Sequence, residues 1–127
     1  MVKAGARRIY CAGDSGYDPR IFSEIGRRSG RPDLALVPIG AYEPRWFMAP
    51  VHMDPAEAVQ AHLALGARRS VGMHFGTFQL TDEAIDAPLF ALEAARQAAG
   101  LDPAAFTTQG FGETRLYPLT DRGVPGS

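Results

Sequence analysis

At 127 residues the chain has room for one small domain, and 46% hydrophobic residues is an ordinary globular composition. A formal net charge of −1 excludes a general nucleic-acid binder, which needs a strong basic excess. The lone cysteine, Cys11, excludes an internal disulfide, and no run approaches the ~18 apolar residues of a membrane span. Residues 1–8 lack the apolar stretch of a signal peptide, so the expectation is a soluble, cytoplasmic protein without a transmembrane segment.

Arg7 to Ala12 reads as a buried strand ended by Gly13, with Cys11 as a buried, inert thiol. Asp18-Pro19 is a cap followed by a first-turn proline, predicting a helix with Ile21, Phe22 and Ile25 on one face that stops near Gly30. Leu34 to Ile39 reads as a second buried strand. Gly40 to Met53 is expected to be irregular; it carries Pro44 and Pro50 with Tyr42, Trp46, Phe47 and Met48 between them. Long loops inside compact domains are uncommon and often functional. Asp54-Pro55 repeats the cap-and-proline signal before an alanine-rich helix over Ala56–Leu65, closed by Gly66. Arg69 to Met73 reads as a third strand, Asp82 to Asp86 as a polar connector and Ala87 to Ala99 as a last helix. One or two late strands are expected within Thr108–Leu119, and a disordered tail over 121–127 beyond a domain at 1–120. Alternating strands and helices make an α/β class, with sites expected at the carboxyl ends of its buried strands.

Two polar residues occupy such ends. Asp14 follows Gly13 and precedes Ser15-Gly16, where glycines let the chain turn sharply and a ligand approach. Its carboxylate suits a metal, and equally an Asx turn or helix cap. His74 sits between Gly72-Met73 and Phe75-Gly76, where it reads as a metal ligand or a satisfied core histidine. His52 lies in the proline-stiffened loop between them and suits a general acid, an oxyanion stabiliser, a ligand or a surface cap. His62 falls inside a helix, with Asp54 or Glu57 as local partners, and reads as structural. The arginine pairs Arg7-Arg8, Arg27-Arg28 and Arg68-Arg69 read as solvated ends of elements, against a phosphate-binding patch.

Four stretches, Ala12-Gly13-Asp14-Ser15-Gly16-Tyr17-Asp18, Gly40-Ala41-Tyr42-Glu43-Pro44-Arg45-Trp46-Phe47-Met48, His52-Met53-Asp54-Pro55 and His74-Phe75-Gly76-Thr77-Phe78, resemble the metallo-β-lactamase superfamily. Within it the chain is most similar to the branch of N-acyl-phosphatidylethanolamine-hydrolysing phospholipase D and its bacterial relatives. The resemblance implies an αβ/βα sandwich of which this chain is the carboxyl-terminal half, a mixed sheet with helices on one face. It implies that Asp14 bridges two zinc ions, that His74 is a terminal ligand, and that His52 acts near the reacting phosphate or carbonyl. Tyr42, Trp46 and Phe47 would belong to a substrate-side wall, and a hydroxide held between the metals would attack a phosphodiester or related ester of a small, lipid-like molecule. The family's His-x-His-x-Asp-His cluster, and a further histidine before the aspartate position, are absent from this sequence. The expectation is therefore weak metal binding and little hydrolysis by the chain alone, with an uncovered sheet face inviting a homodimer or the amino-terminal half as partner. A non-catalytic α/β module that dimerises or binds a partner is the alternative.

Overall fold

The computed structural model describes residues 1–118; the tail expected at 121–127 lies outside the described residues. Five strands form one mixed sheet in chain order: β1 (Val2–Ala4), β2 (Arg7–Cys11), β3 (Leu34–Pro38), β4 (Arg69–Met73) and β5 (Phe106–Thr107). Only β1 and β2 are antiparallel; β2 through β5 run parallel. The short first strand was not anticipated. Gly5 at φ 60° turns the chain back so that Val2 pairs with Ile9.

The helices follow their punctuation. In α1 (Pro19–Ser29) the Asp18 carboxylate accepts from the Arg20 amide. In α3 (Pro55–Leu65) Asp54 and Glu57 form a reciprocal capping box, and Gly66 closes the helix in the left-handed region. Between them, α2 (Arg45–Met48) is a single turn inside the stretch expected to be irregular. The last helix, α4 (Ala87–Ala98), is followed by a 3₁₀ turn at Pro103–Ala105 and then β5. This last strand precedes the segment where late strands were expected; residues 108–118 contain none, and Leu119 lies outside the described residues.

Helix α3 packs on β3 and is flanked by α1 and α4. Alternation sets the two faces of the sheet. Ala35, Val37, Ile39, Ser70 and Phe106 point into the helix layer, where they are buried with Phe22, Val59 and Leu65. At the centre of this layer, His62 Nδ1 lies 2.7 Å from Ser70 Oγ, so its partner is a β4 hydroxyl and not the expected Asp54 or Glu57. The opposite face carries Val2, Ile9, Cys11, Leu34 and Leu36, all exposed or half-exposed. Strand β2 is thus not the buried strand its apolar composition suggested, and Cys11 is exposed. The helices cover one face only, so apolar alternation on β2 and β3 is satisfied on one side and left open on the other. Arg27 and Arg28 are solvated at the end of α1 and both pair with Glu24, whereas Arg68 is only 26% exposed and pairs with the buried Asp33.

Candidate metal and hydrolase site

The parallel strands β2, β3 and β4 end side by side, so the segments after Cys11, Pro38 and Met73 converge at one sheet edge. Backbone bonds carry the ladder to that edge: Ala12 donates to the Leu36 carbonyl at 3.0 Å and Ile39 to the Met73 carbonyl at 3.0 Å. Asp14, Ala41 and His74 follow immediately. His74 adopts φ 62°, the left-handed region that side chains avoid, and Ala41 does the same at φ 61°. Gly40 makes this crossing possible, because a Cβ there would collide with the His74 carbonyl.

This geometry aims His74 at Asp14. Nε2 of His74 is 3.2 Å from Oδ1 of Asp14, with the side chains 29% and 67% exposed. Two ligand atoms on one tetrahedral zinc, each about 2.0–2.2 Å from the ion, stand roughly 3.3–3.5 Å apart. The pair therefore fits a shared ligand edge; without an ion the same spacing is a hydrogen bond. The His52 ring lies over the His74 ring, centroids 5.3 Å apart and planes 24° apart. Nδ1 of His52 is buried without a hydrogen-bond partner. Among the described residues, no group of three or more His, Cys, Asp or Glu side chains is placed to hold a metal.

The three residues singled out at the strand ends and in the loop are thus brought together. The aromatic wall is placed differently. Tyr42 is 7% exposed, and burial, reinforced by Glu83 and Glu43, pushes its phenol pKa up, so it stays protonated at neutral pH. Trp46 and Phe47 stand out from α2 at 84% and 65% exposed, in edge contact with each other. None of the three lines the cavity of about 140 Å³ beside His74, whose walls include Ala41, Phe75, Phe78, Leu80 and Ile85. An adjoining apolar groove runs between Phe75, Leu89 and Phe111. Within the 75–85 segment the sequence pointed only to a polar connector beginning at Asp82 and to the His74–Phe78 motif, and neither signalled a cavity wall. Glu83 is what folds it back: its Oε1 accepts from the Tyr42 and Glu43 amides, both at 2.8 Å, and Thr81 bonds its other oxygen.

The model of the beta-lactamase superfamily domain matches residues 1–75 of this chain. The chain is 50% identical over 74 residues, 58% of its own length and 21% of the relative's, to an N-acyl-phosphatidylethanolamine-hydrolyzing phospholipase D 1 of Caenorhabditis elegans. It is 34% identical over 110 residues, 86% of its length and 23% of the relative's, to the mitochondrial N-acyl-phosphatidylethanolamine-hydrolyzing phospholipase D of Saccharomyces cerevisiae. A UPF0173 metal-dependent hydrolase of Korarchaeum cryptofilum is 38% identical over 80 residues, 61% of this chain and 31% of that protein. The chain thus spans less than a third of each of these relatives. With a domain match over more than half of its residues, the chain belongs to the metallo-β-lactamase superfamily, on the branch of the N-acyl-phosphatidylethanolamine-hydrolysing phospholipases D.

Proposed function

We propose that these residues form part of a metal-dependent hydrolase of phosphodiester or related ester bonds, with zinc as the metal and a substrate that is apolar in part. The observation that carries this reading is the 3.2 Å spacing of Asp14 Oδ1 and His74 Nε2 at the carboxyl edge of the parallel strands. Support comes also from the relatives, two named as phospholipases D and one as a metal-dependent hydrolase. Asp14 and His74 would hold the metal, with the remaining ligands coming from polypeptide outside this sequence. Bound there, a divalent cation supplies Lewis-acid polarisation and lowers the pKa of water toward neutrality. The open sheet face is a surface such polypeptide could cover.

The chain's own residues would act as follows. Asp14 and His74 fix the reaction centre at the mouth of the cavity beside His74. His52, stacked on His74, presents one ring nitrogen to the group bound there and would donate a proton or hydrogen bond to the oxygen that gains charge. Phe75, Phe78 and Leu80 provide an apolar wall for an acyl or alkyl portion of the substrate. Trp46 and Phe47, exposed near His52 in sequence, would extend that wall on the side of α2, with Tyr42 holding the loop from beneath.

The test is zinc content and turnover of N-acyl-phosphatidylethanolamine and of a chromogenic phosphodiester by the full-length protein that contains these residues. Asp14→Asn and His74→Ala should each lower turnover by at least about 10²-fold. Full-length protein that retains no zinc and cleaves neither compound would sink the proposal.

A further inference from the structure

The Gly40–Met48 stretch carries an arginine that the site description leaves without a role. Arg45 is 27% exposed at its side chain, and its guanidinium spans four groups. Nη1 donates to the Tyr42 carbonyl at 2.9 Å and to the His52 carbonyl at 3.1 Å. Nη2 bonds Oε1 of Glu57, and Nε lies 3.5 Å from Oδ2 of Asp54. The same Glu57 oxygen accepts from the Asp54 amide at 3.1 Å. One Arg–Glu unit therefore grips the backbone on both sides of Met53.

The groups between are also tied. The His52 amide donates to the Met48 carbonyl at 2.8 Å, and the Met53 amide donates to the Ser15 carbonyl at 3.1 Å, directly beside Asp14. Gly16 passes so close to Ala49 and Pro50 that a Cβ would strike their carbonyls, which locks the two loops together. A chain of bonds thus leads from Arg45 through the His52 peptide to the Asp14 loop, and the His52 ring leaves it lying over His74. A planar guanidinium with five fixed donors can reach two carbonyls and a carboxylate together, whereas an ammonium is a point charge without that geometry.

We propose that Arg45 is a positioning residue: by clamping the His52 carbonyl to the α3 capping box, it holds the His52 imidazole over His74 and beside Asp14. The inference rests on the reading of His52 as an acting group, but its geometry is measurable without turnover. The experiment is NMR of histidine-labelled protein, in which three ring systems report separately, for wild type, Arg45→Lys and Arg45→Gln. In Arg45→Lys a cation remains opposite Glu57 but the two-carbonyl grip is gone. The expected result is displaced His52 ring signals and a lost cross-peak between the His52 and His74 rings, with the buried His62 signals unmoved. Arg45→Gln should give the same pattern more strongly, and if it does not fold, Arg45→Lys alone decides. Unmoved His52 signals with the cross-peak intact in folded Arg45→Lys would overturn the proposal. So would His62 moving as much as His52, which marks general loosening. Displacement of His52 without any change in hydrolysis by the full-length protein would confirm the clamp and count against His52's role in the reaction.

Discussion

Replacing His74 with glycine separates a functional histidine from a structural one. At φ 62° the wild-type residue carries the left-handed penalty of about 1–2 kcal/mol for a side chain, which glycine removes. Against this stand the Asp14–His74 pair, exposed enough to be worth at most about 1 kcal/mol, and the stacking on His52, worth about 0.5–1.5 kcal/mol. These contributions nearly cancel, so His74→Gly should leave stability within about 1 kcal/mol of wild type while abolishing zinc binding at the site. Ala41→Gly is the control: it relieves the same backbone region at φ 61°, leaves all three site residues unsubstituted, and should stabilise by about 1 kcal/mol. In a domain of this size that is a rise in Tm of roughly 3–6 °C. Urea denaturation followed by circular dichroism reads both. A loss above about 2 kcal/mol in His74→Gly would show that His74 is held for packing, and the strained backbone would then have no functional meaning.

Burial lowers the pKa of His62, so the folded protein keeps it neutral beside Ser70 while the unfolded chain takes up a proton below about pH 6.5. The unfolded state then binds more protons, and stability should fall as pH drops below that value, by up to about 1.4 kcal/mol per pH unit; a His62→Gln variant with the same pH slope would contradict this. Ser70→Ala leaves His62 Nδ1 buried without its partner and should cost about 1–3 kcal/mol by urea denaturation, with zinc binding unchanged. Cys11, exposed on the uncovered face, should react completely with a thiol reagent in the native chain, whereas a requirement for denaturant would mean that a second copy or another segment covers that face. Asp54→Ala removes the cap of α3 and should cost about 1 kcal/mol, largely recovered in Asp54→Asn, as measured by thermal melting.

The helices were legible because their ends are chemically marked. Asp18-Pro19 and Asp54-Pro55 cap and start two of them, and Gly66 ends the second in the one backbone region where glycine has the advantage. The central strands were legible as apolar runs, but their burial was not. The alternation in Arg7–Cys11 cannot reveal that only one face meets a helix layer, so Cys11 was placed inside and is found outside. Val2–Ala4 was missed because three residues carry too little pattern, and its pairing depends on the turn at Gly5. The meeting of Asp14, His52 and His74 followed from strand ends and family resemblance together. The cavity walls did not, because Phe75, Phe78 and Leu80 reach the site through a fold-back that hangs on one carboxylate, Glu83, bonding two amides about forty residues earlier in the chain. Arg45 was visible in its motif, yet its reach to Glu57 depends on the single helical turn that the prolines had suggested was irregular.

The central claim is that Asp14 and His74 form one edge of a metal site. Zinc titration of the chain by equilibrium dialysis, with Asp14→Asn, His74→Ala and His62→Gln in parallel, tests it most directly. Weak binding in wild type that is lost in the first two variants and kept in the third is the expected result. Equal binding in all four proteins, or no zinc taken up by any of them or by the full-length protein, would contradict it.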